Sequence, residues 1–318
     1  MTKLIKKISI SKIRLGTRAS RLALSQVAEI QLLIAENFPN IKIEIVPITT
    51  TGDKILDKNL AEIGGKGLFI KELEEALINN KIDIAVHSAK DIPPKINNLT
   101  KLSAFTERLD VRDCFVSSKY SSLKKLPKNA TIGTSSTRRK AFLLKERPDI
   151  KVTNLRGNID TRINKILENN LDGAILAVSG LLRLSKENSI NEAIEVEKML
   201  PAGGQGALAL QTRIIDEELN ELLKKINHYE TEICVSCERA FLQELEASCS
   251  TPVGVYCSVK NKKIQLKTAI IDYDGSQIYE TINNSSVYLD SAIEMGIKAG
   301  KDTKIKAKEL LSKILLPY

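Results

Sequence analysis

Residues 13–20, Ile13-Arg14-Leu15-Gly16-Thr17-Arg18-Ala19-Ser20, have the pattern of a strand that ends in a Gly-Thr turn with a serine before a helix. The stretch Ala130-Thr131-Ile132-Gly133-Thr134-Ser135-Ser136-Thr137-Arg138-Arg139 repeats that order in the middle of the chain. In both places a helical stretch and a proline-containing loop follow, at Phe38-Pro39-Asn40 and at Arg147-Pro148-Asp149. Serine and threonine are preferred residues at helix starts. The repeated order predicts two similar α/β halves produced by duplication.

Each half also contains a helix end that leads into a short apolar strand, at residues 79–86 and 169–176. Strands that alternate with helices predict a mainly parallel sheet in each half. Ligands of such sheets bind beyond the carboxyl ends of the strands. The first of these strands leads into His87-Ser88-Ala89-Lys90-Asp91, so we expect Lys90 and Asp91 at a ligand-binding edge.

The tail of the chain has a different pattern, typical of a small α+β domain. Residues 231–247 have helical periodicity with one apolar face. Three strand-like runs follow at 253–259, 264–271 and 277–282, separated by turn residues, and a last helix is predicted over 288–315. The fold class we expect is therefore two similar α/β domains and a C-terminal α+β domain with a three-stranded antiparallel sheet.

A chain of 318 residues is too long for one hydrophobic core, so several domains are expected. We place the first domain at residues 1–106 with 201–224, the second at 107–200 and the third at 225–318. No apolar run approaches the ~20 residues that cross a bilayer. The basic N-terminus lacks the apolar stretch of a secretory signal. We expect a cytoplasmic monomer that does not bind a membrane.

The formal net charge of +9 indicates an acidic partner. Nucleic acid is disfavoured, because aromatic residues are only 4%, tryptophan is absent and no nucleic-acid-binding motif is recognisable. The arginines occur beside Gly, Ser and Thr at strand-to-helix junctions, where a helix N-terminus also favours anions. We expect them to be exposed, to converge on a small polyanion and to contribute little to stability. The residues of this predicted anion site are Arg18, Ser20, Ser136, Arg138, Arg139, Arg156, Arg162 and Arg183.

The five cysteines do not form a disulfide framework in a chain of this length, and their number is odd. Cys234 and Cys237 form a lone C-x-x-C pair, which we interpret as one core and one surface position on a helix. A four-ligand zinc site would have to recruit Cys249 or Cys257, and we predict no metal. Cys249 is flanked by small residues and Pro252, so its thiol is expected to be exposed on a loop. It is either incidental or a nucleophile or attachment point.

Two glycine-rich stretches match no nucleotide-binding motif. Gly64-Gly65-Lys66-Gly67 and Pro201-Ala202-Gly203-Gly204-Gln205-Gly206 fit neither the Walker loop nor the dinucleotide fingerprint in spacing. We expect the ligand in a cleft between the two halves, and we interpret the first stretch as a mobile loop beside that cleft and the second as the crossover that joins domains.

Several motifs, in one order over nearly the whole chain, resemble the porphobilinogen deaminase family. They are Thr49-Thr50-Thr51-Gly52-Asp53, Gly65-Lys66-Gly67-Leu68-Phe69, residues 83–94, 133–139, 155–162 and 200–207, and Cys249 with Pro252 and Gly254 after it. Two departures are Ala89 in place of a common methionine and Arg21 where proline often follows the serine. Arg21 is expected to alter the helix start or to add charge to the cleft.

The resemblance implies an enzyme that joins porphobilinogen units head to tail, releases ammonia from each and yields hydroxymethylbilane. It implies a dipyrromethane cofactor bound through a thioether to Cys249, a catalytic Asp91, and first and second domains similar to periplasmic binding proteins. It also implies a set of residues for the cofactor and substrate. Cofactor contacts fall on Lys90, Asp91, Ser136, Arg138, Arg139 and Ser20, and substrate contacts on Arg18, Arg156, Arg162, Arg183 and Phe69.

Two other hypotheses account for part of the pattern. A two-lobed binding protein for an acidic small molecule explains the duplicated halves and the arginines, but not the third domain with Cys249. A nucleic-acid-binding protein explains only the charge.

Overall fold

The structure is a computed structural model that describes residues 9–54, 70–248 and 250–315. Its strands β1 to β13 are, in chain order, Lys12–Arg18, Lys42–Ile48, Ile84–Ser88, Thr100–Phe105, Asp113–Val116, Thr131–Gly133, Lys151–Thr153, Gly173–Ala177, Glu192–Ile194, Leu208–Arg213, Val253–Lys260, Lys263–Ile271 and Ile278–Ser286. Its helices α1 to α10 are Arg21–Asn37, Thr51–Lys54, Lys71–Ile78, Thr137–Glu146, Ile159–Glu168, Val178–Arg183, Glu217–Leu223, Tyr229–Glu244, Leu289–Lys306 and Lys308–Leu315. No helix in these ranges is long and apolar enough to cross a bilayer.

Two five-stranded sheets have the same topology. The first has the order β2-β1-β3-β10-β4 and the second β7-β6-β8-β5-β9. In each, the first three strands are mutually parallel, and the fourth runs antiparallel to both of its neighbours. The prediction of two similar, mainly parallel α/β halves is confirmed, with one antiparallel strand in each.

Two chain segments connect these sheets, and they lie against each other. The chain leaves the first sheet after β4 and enters the second at β5, then returns through residues 201–207 to β10. Gln205 Nε2 donates to the Val111 carbonyl at 2.7 Å, and Arg108 Nε donates to the Gln205 carbonyl at 2.8 Å. Gly204 has a φ of 76°, and a Cβ there would lie 2.9 Å from the Ala89 carbonyl carbon. The interpretation of residues 201–206 as a crossover is confirmed, and its glycine allows close approach to the turn that contains Asp91.

The third sheet, β11-β12-β13, is antiparallel throughout and packs with α8 and α9. Its two turns form where the sequence predicts them. Asn261 and Lys262 both have positive φ, as a tight hairpin turn requires, and Gly275 has a φ of 78°. This confirms the predicted C-terminal α+β domain.

Two details of this domain differ from the sequence-based prediction. The last helix is two helices, because the chain turns at Ala307, where φ is −106° and ψ is 24°. The turn directs Leu310, Leu311 and Ile314 into the domain core. Cys234 and Cys237 are both buried, so the expectation of one surface position is wrong. The reason is that α8 packs against both the sheet and α9, so that Cys234 and Cys237 both belong to the domain core.

Candidate active site

The two duplicated strand-to-helix junctions have the same cap. Ser20 Oγ accepts a hydrogen bond from Ala23 N at 3.3 Å, and Ser136 Oγ accepts one from Arg139 N at 3.4 Å. Each side chain satisfies one of the free N–H groups at a helix start. The predicted serine caps are therefore present, and they place α1 and α4 at the carboxyl ends of β1 and β6.

Asp91 lies at the mouth of the first sheet. Strand β3 ends at Ser88, and Ala89–Asp91 form a single 3-10 turn that leaves Asp91 exposed. Asp91 lines a pocket together with Arg18 and Ser20 from the β1–α1 junction. The structure thus brings together three predicted site residues from two neighbouring strand ends, as the parallel topology requires.

Lys90 lies beside Asp91 but turns towards the crossover. Its Nζ donates to Gln205 Oε1 at 3.2 Å. Burial lowers the pKa of Lys90 to about 8; Arg139 also lowers it, while Asp91 and Asp113 oppose the shift. Lys90 is therefore close to charged groups of both halves.

Arg138 and Arg139 are buried, so the expectation that they are exposed is wrong. Both bind the fully buried Asp113: Arg138 Nη1 lies 2.7 Å from Oδ2 and Arg139 Nη2 2.8 Å from Oδ1. Arg138 also donates to the Leu200 carbonyl at 2.6 Å, and Arg139 to the Ile175 carbonyl at 3.2 Å. Burial alone would raise the pKa of Asp113, but the two guanidinium groups hold it well below its usual range. Two cations share one carboxylate, which leaves an excess of positive charge next to Lys90.

Arg162 brings a further cation to Asp91. Its Nε donates to the Gly157 carbonyl at 2.8 Å, and no salt bridge of Arg162 occurs within the described residues. Burial lowers the pKa of Arg162 to about 10; the charges of Arg139 and Arg156 lower it further, and Asp91 raises it. Arg162 is thus near enough to Arg139, Arg156 and Asp91 to feel the charge of each, and we call these four residues one electrostatic cluster.

Arg183 is held by a carboxylate of the first half. Its Nε lies 2.9 Å from Glu29 Oε2, and the side chain is 5% exposed. The carbonyl of Arg183 also accepts from Ser25 Oγ at 2.6 Å, so α1 and α6 are joined at two points. A substrate carboxylate would have to exchange with Glu29 to reach Arg183.

Arg21 does not add free charge to the cleft. Its Nη1 lies 3.1 Å from Asp160 Oδ2 at the start of α5, and Asp160 also pairs with Lys186 at 2.8 Å. Arg21 therefore links the two halves through a surface ion pair, a role that its sequence position alone does not reveal.

Two predicted site residues, Phe69 and Cys249, lie outside the described residues, as does the glycine-rich loop 64–67. The residues that flank Cys249 form a hydrogen-bonded turn: Thr251 N donates to the Ser248 carbonyl at 3.0 Å, and Ser248 N donates to Thr251 Oγ1 at 2.9 Å.

The other cysteines, Cys114, Cys234, Cys237 and Cys257, are all buried. Burial raises the pKa of Cys114 to about 12, which makes it a poor nucleophile. Among the described side chains, no group of three or more potential ligands could hold a metal ion.

The sequence-based prediction missed His87, Asp113 and Gln205. His87 is buried and its Nε2 lies 2.9 Å from Gln211 Oε1; burial lowers its pKa to about 4, so it is neutral at physiological pH. Gln205 Nε2 donates to Asp113 Oδ1 at 3.0 Å and so connects Lys90 with the arginine pair. A detectable signal existed only for Asp113, a lone charged residue at the start of the apolar strand β5.

Comparisons with known proteins identify the same family over most of the chain. The family profile described as porphobilinogen deaminase, dipyromethane cofactor binding domain, matches residues 13–221, and the profile for the porphobilinogen deaminase C-terminal domain matches residues 232–304.

Similar curated proteins carry the same description. A porphobilinogen deaminase of Rickettsia bellii is 45% identical over 296 residues, which are 92% of this chain and 97% of the relative. One of Nitrobacter winogradskyi is 44% identical over 90% of this chain and 93% of its own length. A chloroplastic one of Oryza sativa subsp. japonica is 41% identical over 94% and 85%. Among solved structures, the methionine binding protein MetQ superposes with a TM-score of 0.43 at 13% identity, over 68% of this chain and 88% of its own.

Proposed function

The chain belongs to the porphobilinogen deaminase family, and on that premise we propose how its own residues carry out the reaction. The enzyme joins four molecules of porphobilinogen head to tail, releases ammonia from each and yields hydroxymethylbilane in tetrapyrrole biosynthesis. It uses a covalently bound dipyrromethane as primer.

The described residues fit an acidic, pyrrole-based cofactor. Dipyrromethane and porphobilinogen both carry acetate and propionate side chains, so each added unit brings two carboxylates. The cluster of Lys90, Arg138, Arg139 and Arg162 has more cations than Asp91 and Asp113 can neutralise. Guanidinium groups bind carboxylates with two parallel hydrogen bonds. We assign the cofactor carboxylates to Lys90, Arg138, Arg139 and the α1 and α4 caps at Ser20 and Ser136.

Incoming substrate is assigned to the other arginines of the predicted anion site. Arg18 lines the pocket with Asp91, and Arg156 and Arg162 belong to the same electrostatic cluster. Arg183 binds substrate after its ion pair with Glu29 breaks. Phe69 is assigned to substrate binding from its sequence motif. Several arginines are needed because the growing product gains two carboxylates at each addition.

The cofactor is assigned to Cys249 through a thioether. All four cysteines among the described residues are buried, whereas Cys249 stands between α8 and β11 in the sequence. When bound, the dipyrromethane supplies the free pyrrole α-carbon that forms each new carbon–carbon bond.

Asp91 is assigned the proton transfers. Loss of ammonia from porphobilinogen leaves an electron-poor methylene pyrrole, whose charge a carboxylate beside the pyrrole N–H stabilises. The proton that leaves the attacked ring carbon also needs an acceptor within hydrogen-bond reach. Asp91 is the acid among the described residues that line the pocket, and His87, which also lines it, is buried and neutral.

We place domain boundaries at residues 1–106 with 201–224, 107–200 and 225–318, which assigns each sheet to one domain. We further propose that the enzyme acts as a cytoplasmic monomer. Sedimentation of the purified protein tests the oligomeric state.

The observation that carries this proposal is the pocket at the strand ends of the first sheet, which Asp91 lines together with Arg18 and Ser20. An aldehyde reagent for pyrroles tests it against the two rival functions. The purified protein should give colour without added substrate, because of its bound primer, and porphobilinogen should be consumed in solution. A two-lobed binding protein or a nucleic-acid-binding protein would give neither result.

A further inference from the structure

Helix α8 of the C-terminal domain is hydrogen-bonded to the segment that follows Asp91. Arg239 on α8 donates from Nη1 to the Ile92 carbonyl at 3.2 Å, and from Nη2 to the carbonyls of Pro93 and Pro94 at 2.8 and 2.9 Å. One side chain therefore holds three consecutive carbonyl oxygens, and the first of them belongs to the residue next to Asp91.

These three hydrogen bonds stabilise the partly buried positive charge of Arg239. Within the part of the chain that the structure describes, Arg239 has no salt bridge, and burial lowers its pKa to about 10. A partly buried cation without a carboxylate needs several good acceptors. Pro93 and Pro94 cannot donate backbone hydrogen bonds, so their carbonyls are the polar groups through which this segment can be fixed.

A second contact from the same helix holds the turn itself. Val235 lies four residues before Arg239, which places both on one face of α8. Val235 packs in a buried cluster with Ala89 and Ile92, the residues two before and one after Asp91. The Asp91 turn is thus fixed by an apolar contact and by the guanidinium fork, both from α8.

Helix α8 is also followed in the chain by the residues on either side of Cys249, the proposed attachment point of the cofactor. It ends at Glu244, and the hydrogen-bonded turn from Ser248 to Thr251, which flanks Cys249, follows within seven residues. We propose that Arg239 is a positioning residue that fixes the Asp91 carboxylate relative to the cofactor attachment loop, by holding the three carbonyls after Asp91. This inference rests on the proposed catalytic role of Asp91.

Replacement of Arg239 by lysine keeps the charge but removes the planar fork, so three carbonyls cannot be held at once. A displacement of the carboxyl group by about 1 Å can cost up to about a hundredfold in rate. For Arg239→Lys we expect kcat per cofactor-loaded chain to fall at least about tenfold, with a small change in KM, because the arginines that bind substrate are untouched.

Arg147 provides a matched control. It too holds three backbone carbonyls, those of Leu123, Leu126 and Pro127, but it does so in the second sheet's domain. Arg147→Lys should leave kcat and its pH profile unchanged even where it lowers the melting temperature. Arg239→Lys should shift the pH dependence of kcat, because the displaced Asp91 meets different charges. Cofactor loading is measured by intact mass for every variant.

Three outcomes decide the matter. A loaded Arg239→Lys enzyme with wild-type kcat and pH profile overturns the inference. A fall in kcat equal to that of Arg147→Lys also overturns it, since stability alone would explain it.

If Arg239→Lys does not fold, Val235→Ala loosens the same turn without changing charge, and its kcat must fall or the inference is wrong. Asp91→Asn is measured in parallel: near-normal turnover there contradicts the proposed catalytic role of Asp91, on which the inference rests, whereas an inactive Asp91→Asn beside a normal Arg239→Lys contradicts only the inference.

Discussion

The Asp113 carboxylate accepts two hydrogen bonds through Oδ1 from one guanidinium, at 3.0 Å from Nε and 2.8 Å from Nη2 of Arg139. Asp113 belongs to β5 and Arg139 to α4, so the pair ties the antiparallel strand of the second sheet to the helix at its ligand-binding edge. Arg138 completes the cluster on the other carboxylate oxygen. This cluster explains how the fold keeps two arginines side by side within the protein.

Asp113→Asn should destabilise the protein strongly. It leaves two buried guanidinium groups without a carboxylate, and removal of one partner of a buried ion pair typically costs about 3–5 kcal/mol. Urea unfolding measures the change. Asp149→Asn, which breaks the more exposed pair with Arg147, is the control and should have a small effect. Equal effects of the two substitutions would show that Asp113 is not a structural centre.

Arg156→Leu should leave the melting temperature nearly unchanged and block cofactor assembly or chain growth. Arg156 is only partly buried, and its charge acts on the cluster beside Asp91. Arg138→Leu should differ, since it removes a buried partner of Asp113 and should also lower the melting temperature. Thermal melts with mass analysis of bound pyrroles separate the two effects. A stability loss for Arg156→Leu as large as that for Arg138→Leu would assign Arg156 to the fold instead of the ligand.

Asp91→Asn should keep the fold and largely abolish turnover, because the amide has a similar shape but cannot exchange the proton. Asp91→Glu should retain part of the activity, since the acid survives at a displaced position. Consumption of porphobilinogen by cofactor-loaded variants measures both. Near-normal turnover by Asp91→Asn would leave the substrate's own carboxylates as the proton carriers.

His87 should make the protein less stable as the pH falls from 6.5 towards 4. Burial lowers its folded-state pKa from 6.5 to about 4, so in this window the unfolded chain binds the proton and the folded protein does not. The loss at the lower end is on the order of 2–3 kcal/mol, given about 1.4 kcal/mol per unit of pKa. His87→Gln should flatten the slope of unfolding free energy against pH in that window relative to wild type. An unchanged slope would mean that His87 is charged when buried.

The features that the sequence predicts correctly depend on local signals. The Ser20 and Ser136 caps, the strand before Asp91 and the hairpin at Asn261-Lys262 each follow from neighbouring residues. Their repetition also reveals the duplication, because equivalent strands occupy equivalent places in both sheets.

The features that it misses depend on partners distant in sequence. Arg139 meets Asp113 across 26 positions, Arg183 meets Glu29 across 154, and Arg239 meets Ile92 across 147. Whether an arginine faces a ligand or a buried carboxylate is decided by such tertiary contacts. For this reason the sequence predicts the strand ends from which these arginines project, but it does not predict that Arg138 and Arg139 are buried.

The attachment of the primer to Cys249 is the central chemical claim, and an intact mass of the purified protein tests it most directly. The unmodified chain has a mass of 35.2 kDa. We predict that protein from cells that make porphobilinogen exceeds the chain mass by two pyrrole units, that the excess maps to the peptide containing Cys249, and that Cys249→Ser lacks it. An unmodified chain, or extra mass on the peptide containing Cys234 and Cys237, would contradict the account.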